Sequence, residues 1–115
     1  MTDQIPHHRI TVNNALNVLS KHDRPFIELF KHGSLVVEMY QPDKIDHQTP
    51  HSRDELYVVV SGTGWFVNGD SRQPFESGEV LFVPAGIEHR FEDFSDDFAT
   101  WVIFYGLEGG EANSS

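Results

Sequence analysis

The sequence predicts an all-β protein, an antiparallel barrel or sandwich preceded by one short helix. From residue 26 onward the apolar residues fall in short, often alternating runs broken by Gly, Pro, Asn and Asp, the pattern of many short strands. Asn68-Gly69 stands between two such runs, and this dipeptide favours a two-residue hairpin because both positions tolerate positive φ. Helical and strand-like segments do not alternate, which argues against a parallel, doubly wound sheet. There is also no glycine-rich phosphate loop, Gly-x-Ser-x-Gly elbow or Cys-x-x-Cys pair.

Between residues 11 and 22, Val12, Ala15, Leu16, Val18 and Leu19 recur at helical spacing. Thr11 or Asn13 can cap the start and Arg24-Pro25 closes the segment. Strands are expected over 26–30, 35–40, 55–60, 64–67, 71–75, 80–83, 89–94 and 98–105. Gln41-Pro42-Asp43 stops the second run, and Gly33, Gly62, Gly78 and Gly86 punctuate the others. The division is then 1–25 as an N-terminal arm and short helix, 26–106 as the barrel, and 107–115 as a small, polar, flexible tail.

A chain of 115 residues, 38% hydrophobic and 12% aromatic, is the size of one domain with a real core. Its net charge of −10 repels phosphate backbones and anionic lipid, so neither nucleic acid nor membrane is an expected partner. No run is long enough to span a bilayer, and the first residues lack the basic and then apolar pattern of a secretory leader; a cytoplasmic location is expected. The chain has no cysteine. Disulfides are excluded, and a transition metal would have to be held by imidazole, carboxylate or neutral oxygen.

The stretch PHSRDELYVVVSGTG, residues 50–64, places polar residues directly against an alternating Tyr/Val run. In extended chain His51 and Glu55 point to one face, with Tyr57 and Val59, while Asp54 faces out as a solvated residue. Arg53 and Arg90 have the wrong parity to pair with Glu55. A carboxylate on an apolar inner face costs several kcal/mol unless something pairs with it, and a metal ion shared with imidazoles is one such partner. A second histidine follows in GEVLFVPAGIEHRFED, residues 78–93, where His89 opens a strand after the Pro84-Ala85-Gly86 turn.

These two stretches resemble the paired signature motifs of the cupin superfamily. Gly78, Pro84, Gly86 and His89 keep the intervals of the second motif, which ends here in Asp93 where Asn is usual. His51, Glu55 and Gly62 keep the last intervals of the first, but Thr49 stands where its first histidine belongs and the opening glycine is missing. The likeness covers roughly residues 26–106. It implies a conserved barrel, the antiparallel double-stranded β-helix or jelly roll, closing around a pocket, and homodimers are common among such proteins.

The resemblance also implies a divalent metal (Fe, Mn, Ni or Zn) held by His51, Glu55 and His89. At the fourth position Thr49 is a poor ligand. His47, two residues further out, either supplies it or stays exposed in its loop. His7, His8, His22 and His32 lie outside the motifs and are expected to face solvent. Tyr57 and Phe91 are candidates to line a pocket for a small organic molecule. Trp65, Trp101 and the N-terminal segment offer apolar surface for a dimer interface.

Three functions stay open at this point. One is a metal-dependent enzyme, dioxygenase-like or isomerase-like, acting on a small polar molecule. Another is a module that binds a metal or small ligand without turnover. The third, a metal-free isomerase with His51 or His89 as general base, fits less well with Glu55 beside two histidines.

Overall fold

Thr11 caps the one helix among the described residues: its extended backbone (φ −93°, ψ 156°) lets its hydroxyl accept the Asn14 N–H at 3.0 Å. In the computed structural model, which describes residues 9–111, that helix is α1 (Val12–Leu19). The strands are β1 (Phe26–His32), β2 (Leu35–Tyr40), β3 (Asp54–Ser61), β4 (Thr63–Asn68), β5 (Ser71–Glu76), β6 (Val80–Val83), β7 (His89–Glu92) and β8 (Ala99–Tyr105). All pair antiparallel, in a five-stranded sheet of order β1-β2-β8-β3-β6 and a three-stranded sheet of order β5-β4-β7.

Strand parity sorts the residues into two cores. Tyr57 and Val59 of β3, Val102 of β8 and Tyr40 of β2 face Phe66, Phe75 and Phe91 of the smaller sheet. The rings of Phe91 and Phe98 lie 4.6 Å apart between centroids, and those of Tyr57 and Phe91 4.9 Å, edge to face. Burial of each such ring contributes about 1.5–3 kcal/mol. On the outer face of the large sheet, Ala15 and Leu19 of α1 cover Ile27, Leu29, Met39 and Ala99, with Ile10 and Trp101 packed alongside. Ile10, placed in the N-terminal arm by its position, thus belongs to the packed structure. Residues 1–8 and 112–115, with His7 and His8, lie outside the described residues.

Several local expectations need correction. The β4–β5 loop is Gly69-Asp70 rather than Asn68-Gly69: Asn68 stays paired with Ser71, and Gly69 alone takes φ +61°. Gly62 has φ +91°, and a Cβ there would meet the Phe98 Cα at 2.5 Å, so this turn admits only glycine. β3 begins at Asp54, and residues 46–51 before it form neither strand nor helix. Asp54 is 5% exposed, not solvated. Its carboxylate accepts the Ala85 N–H at 2.9 Å and the Glu111 N–H at 2.8 Å, satisfying backbone donors of two loops. The Gly109 N–H donates to the Ser52 carbonyl at 2.6 Å. Residues 109–111, expected to be loose, are tied to the barrel by these bonds.

Candidate metal centre

Glu55 is the second residue of β3, and His89 is the first of β7 in the opposite sheet. Both side chains point between the sheets, at 1% and 2% exposure. His51 sits on the irregular segment before β3, and its carbonyl accepts the Gly86 N–H at 2.7 Å. That bond ties the His51 segment to the turn that launches β7. His89 Nε2 lies 3.1 Å from Glu55 Oε1, and His51 Nε2 lies 3.8 Å from Glu55 Oε2. One donor atom from each of the three falls within 4.8 Å of the others.

The proton positions create a deficit. His89 Nδ1 is 2.9 Å from the Ile87 carbonyl, so Nδ1 carries the hydrogen and donates it. In a neutral ring Nε2 then presents a lone pair toward the carboxylate. Among the described residues, both Glu55 oxygens and His89 Nε2 are buried without a hydrogen-bond partner. Such a cluster requires a cation, a proton or a metal ion. Burial pushes His89 down, but the contact with Glu55, the Ile87 carbonyl and the charges of Glu55 and Asp46 outweigh it and raise its pKa. Without an ion, His89 holds its proton more tightly than an ordinary imidazole. Burial lowers the pKa of His51, partly offset by Glu55, and so favours the neutral imidazole.

The donor set fits a divalent ion. With bonds of about 2.0–2.2 Å, two donors on one ion are at most ~4.4 Å apart; the separations of 3.1 and 3.8 Å, each to a different oxygen of Glu55, lie within that limit, and the 4.8 Å within which all three residues offer an atom reaches slightly past it. Fold and cluster together suggest a metal-binding site.

A cavity of about 740 Å³ opens beside the cluster, lined by His51 and Glu55 and walled by Glu38, Tyr40, Val102 and Phe104. Tyr57 and Phe91 do not line it; both are held in the core between the sheets. His22, expected to face solvent, is half-buried in the cavity wall with Nδ1 3.1 Å from the Val18 carbonyl, whereas His32 is exposed.

The structure brings His51, Glu55 and His89 together and leaves His47 outside their group, exposed at the cavity margin with Thr49. Stepping two residues outward from Thr49 to His47 keeps to one face only in a strand, and this segment is not one. The side chain that turns inward is Gln48, whose Oε1 lies 3.5 Å from His51 Nε2. Sequence reasoning also missed Glu38. It stands opposite Glu28 on β1 and Val102 on β8, and burial, then the charges of Glu28 and Glu55, push its pKa up to about 7. The available signal was its place in β2: a glutamate between Val37 and Met39, on the inner face by alternation.

Two antiparallel sheets closed around an imidazole–carboxylate cluster define a double-stranded β-helix protein with a candidate metal pocket. The family model described as "Cupin domain" matches residues 36–105, and the chain belongs to that family. An uncharacterized protein of Streptomyces coelicolor is 33% identical over 84 residues, covering 71% of this chain and 80% of that one. A cupin superfamily protein from Desulfitobacterium hafniense has a similar crystal structure, with TM-score 0.65, 16% identity, and coverage of 91% of this chain and 97% of the other. A chain described in crystal structures of DMSP lyases is similar at TM-score 0.60 and 27% identity, over 72% of this chain and 47% of the other.

Proposed function

We propose that the protein is a metal-dependent cupin in which His51, Glu55 and His89 hold one divalent ion (Fe, Mn, Ni or Zn) beside a pocket for a small polar organic molecule. The observation that carries this is the buried Glu55–His89 pair, in which Nε2 and Oε1 stand 3.1 Å apart yet no hydrogen bond of good geometry satisfies Glu55 Oε1, Glu55 Oε2 or His89 Nε2. A bound ion would act as a Lewis acid on a substrate oxygen. The residues around it would do the rest: the Ile87 carbonyl fixes the His89 tautomer, and Val102 and Phe104 exclude water from one wall. Similarity to the DMSP lyase chain supports an enzyme. The alternative is a module that binds metal or ligand without turnover.

The protein purified without a polyhistidine tag is expected to carry close to one divalent metal ion per chain by elemental analysis. Turnover or oxygen uptake with small acids and diketones then separates enzyme from binding module. Protein that neither retains nor takes up metal would overturn the proposal.

Among the described residues no helix is long and apolar enough to cross a membrane. The absence of cysteine suits a reducing compartment, and we place the protein in the cytoplasm. We further propose a homodimer. α1 covers Ile27, Leu29, Met39 and Ala99 on the large sheet's outer face, while Val80 and Phe82 of edge strand β6 remain 63% and 45% exposed. They pair with Val58 and Leu56 of β3, making an apolar strip of the kind that calls for a partner. Trp101 does not contribute, being packed in the α1 layer, and the Arg72 guanidinium lies 4.5 Å over the ring of Trp65. Sedimentation at micromolar concentration is expected to give twice the 13.1 kDa chain mass, with Phe82→Glu shifting it to monomer. A monomeric wild-type protein would refute the dimer.

A further inference from the structure

We infer that Gln48 Oε1 is the fourth protein donor of the metal centre, taking the part for which the signature motif uses a histidine; the inference rests on the metal-binding function proposed above. The orientation of one side-chain amide carries it. Asp46 is 9% exposed and gathers four donors. Its Oδ1 accepts from the Tyr40 hydroxyl at 2.5 Å and the Gln48 backbone N–H at 3.1 Å, and its Oδ2 from the Phe91 N–H and Gln48 Nε2, both at 2.8 Å. An ionised carboxylate only accepts, so the Gln48 group facing it must be the NH2. Oε1 therefore points the other way, toward the cluster.

On that side Oε1 accepts the Tyr57 hydroxyl at 2.7 Å and stands 3.5 Å from His51 Nε2. A carbonyl oxygen has two lone pairs. Tyr57 occupies one, and the other faces His51 Nε2 in a long hydrogen bond of 3.5 Å; an ion held by His51 Nε2 would take that second lone pair in its place. The amide thus cannot rotate without losing bonds at both ends, which is how a ligand is held when it comes from an irregular segment. The exposed His47 and Thr49 have no such anchoring. An amide oxygen is neutral, as imidazole is, so the substitution leaves the centre's net charge unchanged while adding a harder donor, of the kind that suits Mn(II).

The test titrates wild-type protein and the Gln48→Leu, Gln48→Ala, His47→Ala, Thr49→Ala and Glu55→Gln variants with Mn(II) and Zn(II) against a competing chelator at fixed pH. The metal-free melting temperatures confirm that each variant folds. Loss of affinity on the order of 10-fold is expected for both Gln48 variants, as for other residues that shape a metal site, with His47→Ala and Thr49→Ala close to wild type. A readout without any folding risk is the wild-type amide spectrum: Zn(II) is expected to shift the Gln48 side-chain NH2 resonances, assigned by their absence in Gln48→Leu. If the wild type binds and Glu55→Gln does not, while both Gln48 variants bind as wild type and the NH2 resonances stay in place, the inference fails and the metal centre stands. If the wild type binds neither ion, both fail.

Discussion

Replacing Glu55 by glutamine is expected to weaken divalent-metal binding by on the order of 100-fold or more while leaving the metal-free protein about as stable as the wild type at alkaline pH, where His89 is neutral in both. Even the outer partners of metal ligands typically contribute 10- to 100-fold, and Glu55 is the only carboxylate in the His51–Glu55–His89 group. Stability moves differently because the metal-free wild type buries a carboxylate against an imidazole at 3.1 Å. A glutamine amide can donate to the lone pair of a neutral His89 Nε2 with no charge buried at all, so once the ring is neutral the variant avoids the penalty of stripping one partner from a buried ion pair. Thermal melts with and without metal separate the two effects. At a free-ion concentration about 100 times Kd, binding stabilises the wild type by ~2.7 kcal/mol, an increment that should disappear in Glu55→Gln. A wild-type-sized metal shift in this variant would remove Glu55 from the centre.

The same geometry sets a pH dependence with a definite sign. The His89 pKa is raised in the ion-free fold, so its contribution to stability is present below the unfolded pKa and lost as pH rises through the folded one. Metal binding must displace that proton, so affinity falls toward acid. The retreat begins at a higher pH than an ordinary imidazole would cause.

Much of the architecture was legible because burial imposes a period. The Tyr57/Val59 alternation placed β3's inner face and the helical spacing from Val12 to Leu19 placed α1, while the second imidazole, His89, came from the resemblance to the second cupin motif through its interval from Gly86. What could not be read lay where backbone periodicity stops. Residues 46–51 obey no two-residue alternation, so stepping out two residues from the motif position at Thr49, a poor ligand, led to His47 as the alternative and passed over Gln48. The determinant is instead Asp46, whose oxygens draw the backbone and side chain of Gln48 inward. Asp54 was misjudged for a related reason: alternation turns it away from Glu55, but the loops after β6 and β8 fold back and bury it under their N–H groups. Loop closure of this kind depends on long-range contacts that leave no local pattern.

Glu38→Gln is expected to stabilise the metal-free protein at pH 8.5 by up to ~3 kcal/mol and to leave it nearly unchanged at pH 5. Burial, then the charges of Glu28 and Glu55, raise the Glu38 pKa from 4.5 to about 7. A carboxyl raised in the fold binds its proton more tightly when native, so its contribution is favourable below the unfolded value. That contribution is lost as pH climbs toward 7, by about 1.36 kcal/mol for each pH unit separating the unfolded and folded values, and partial solvent access reduces it. Glutamine keeps the shape and hydrogen-bonding capacity of the protonated acid and has nothing to ionise. Urea denaturation of both proteins across that range isolates the effect, because the His89 contribution runs in the same direction in each and cancels in their difference. Glu28→Gln should recover a smaller part of the gain, since Glu28 raises Glu38 less than burial does. Saturation with a divalent ion should shrink the difference further: a cation beside Glu55 offsets the charge that helps hold Glu38 protonated. Parallel stability curves for wild type and Glu38→Gln from pH 5 to 8.5 would mean that water reaches this carboxylate freely.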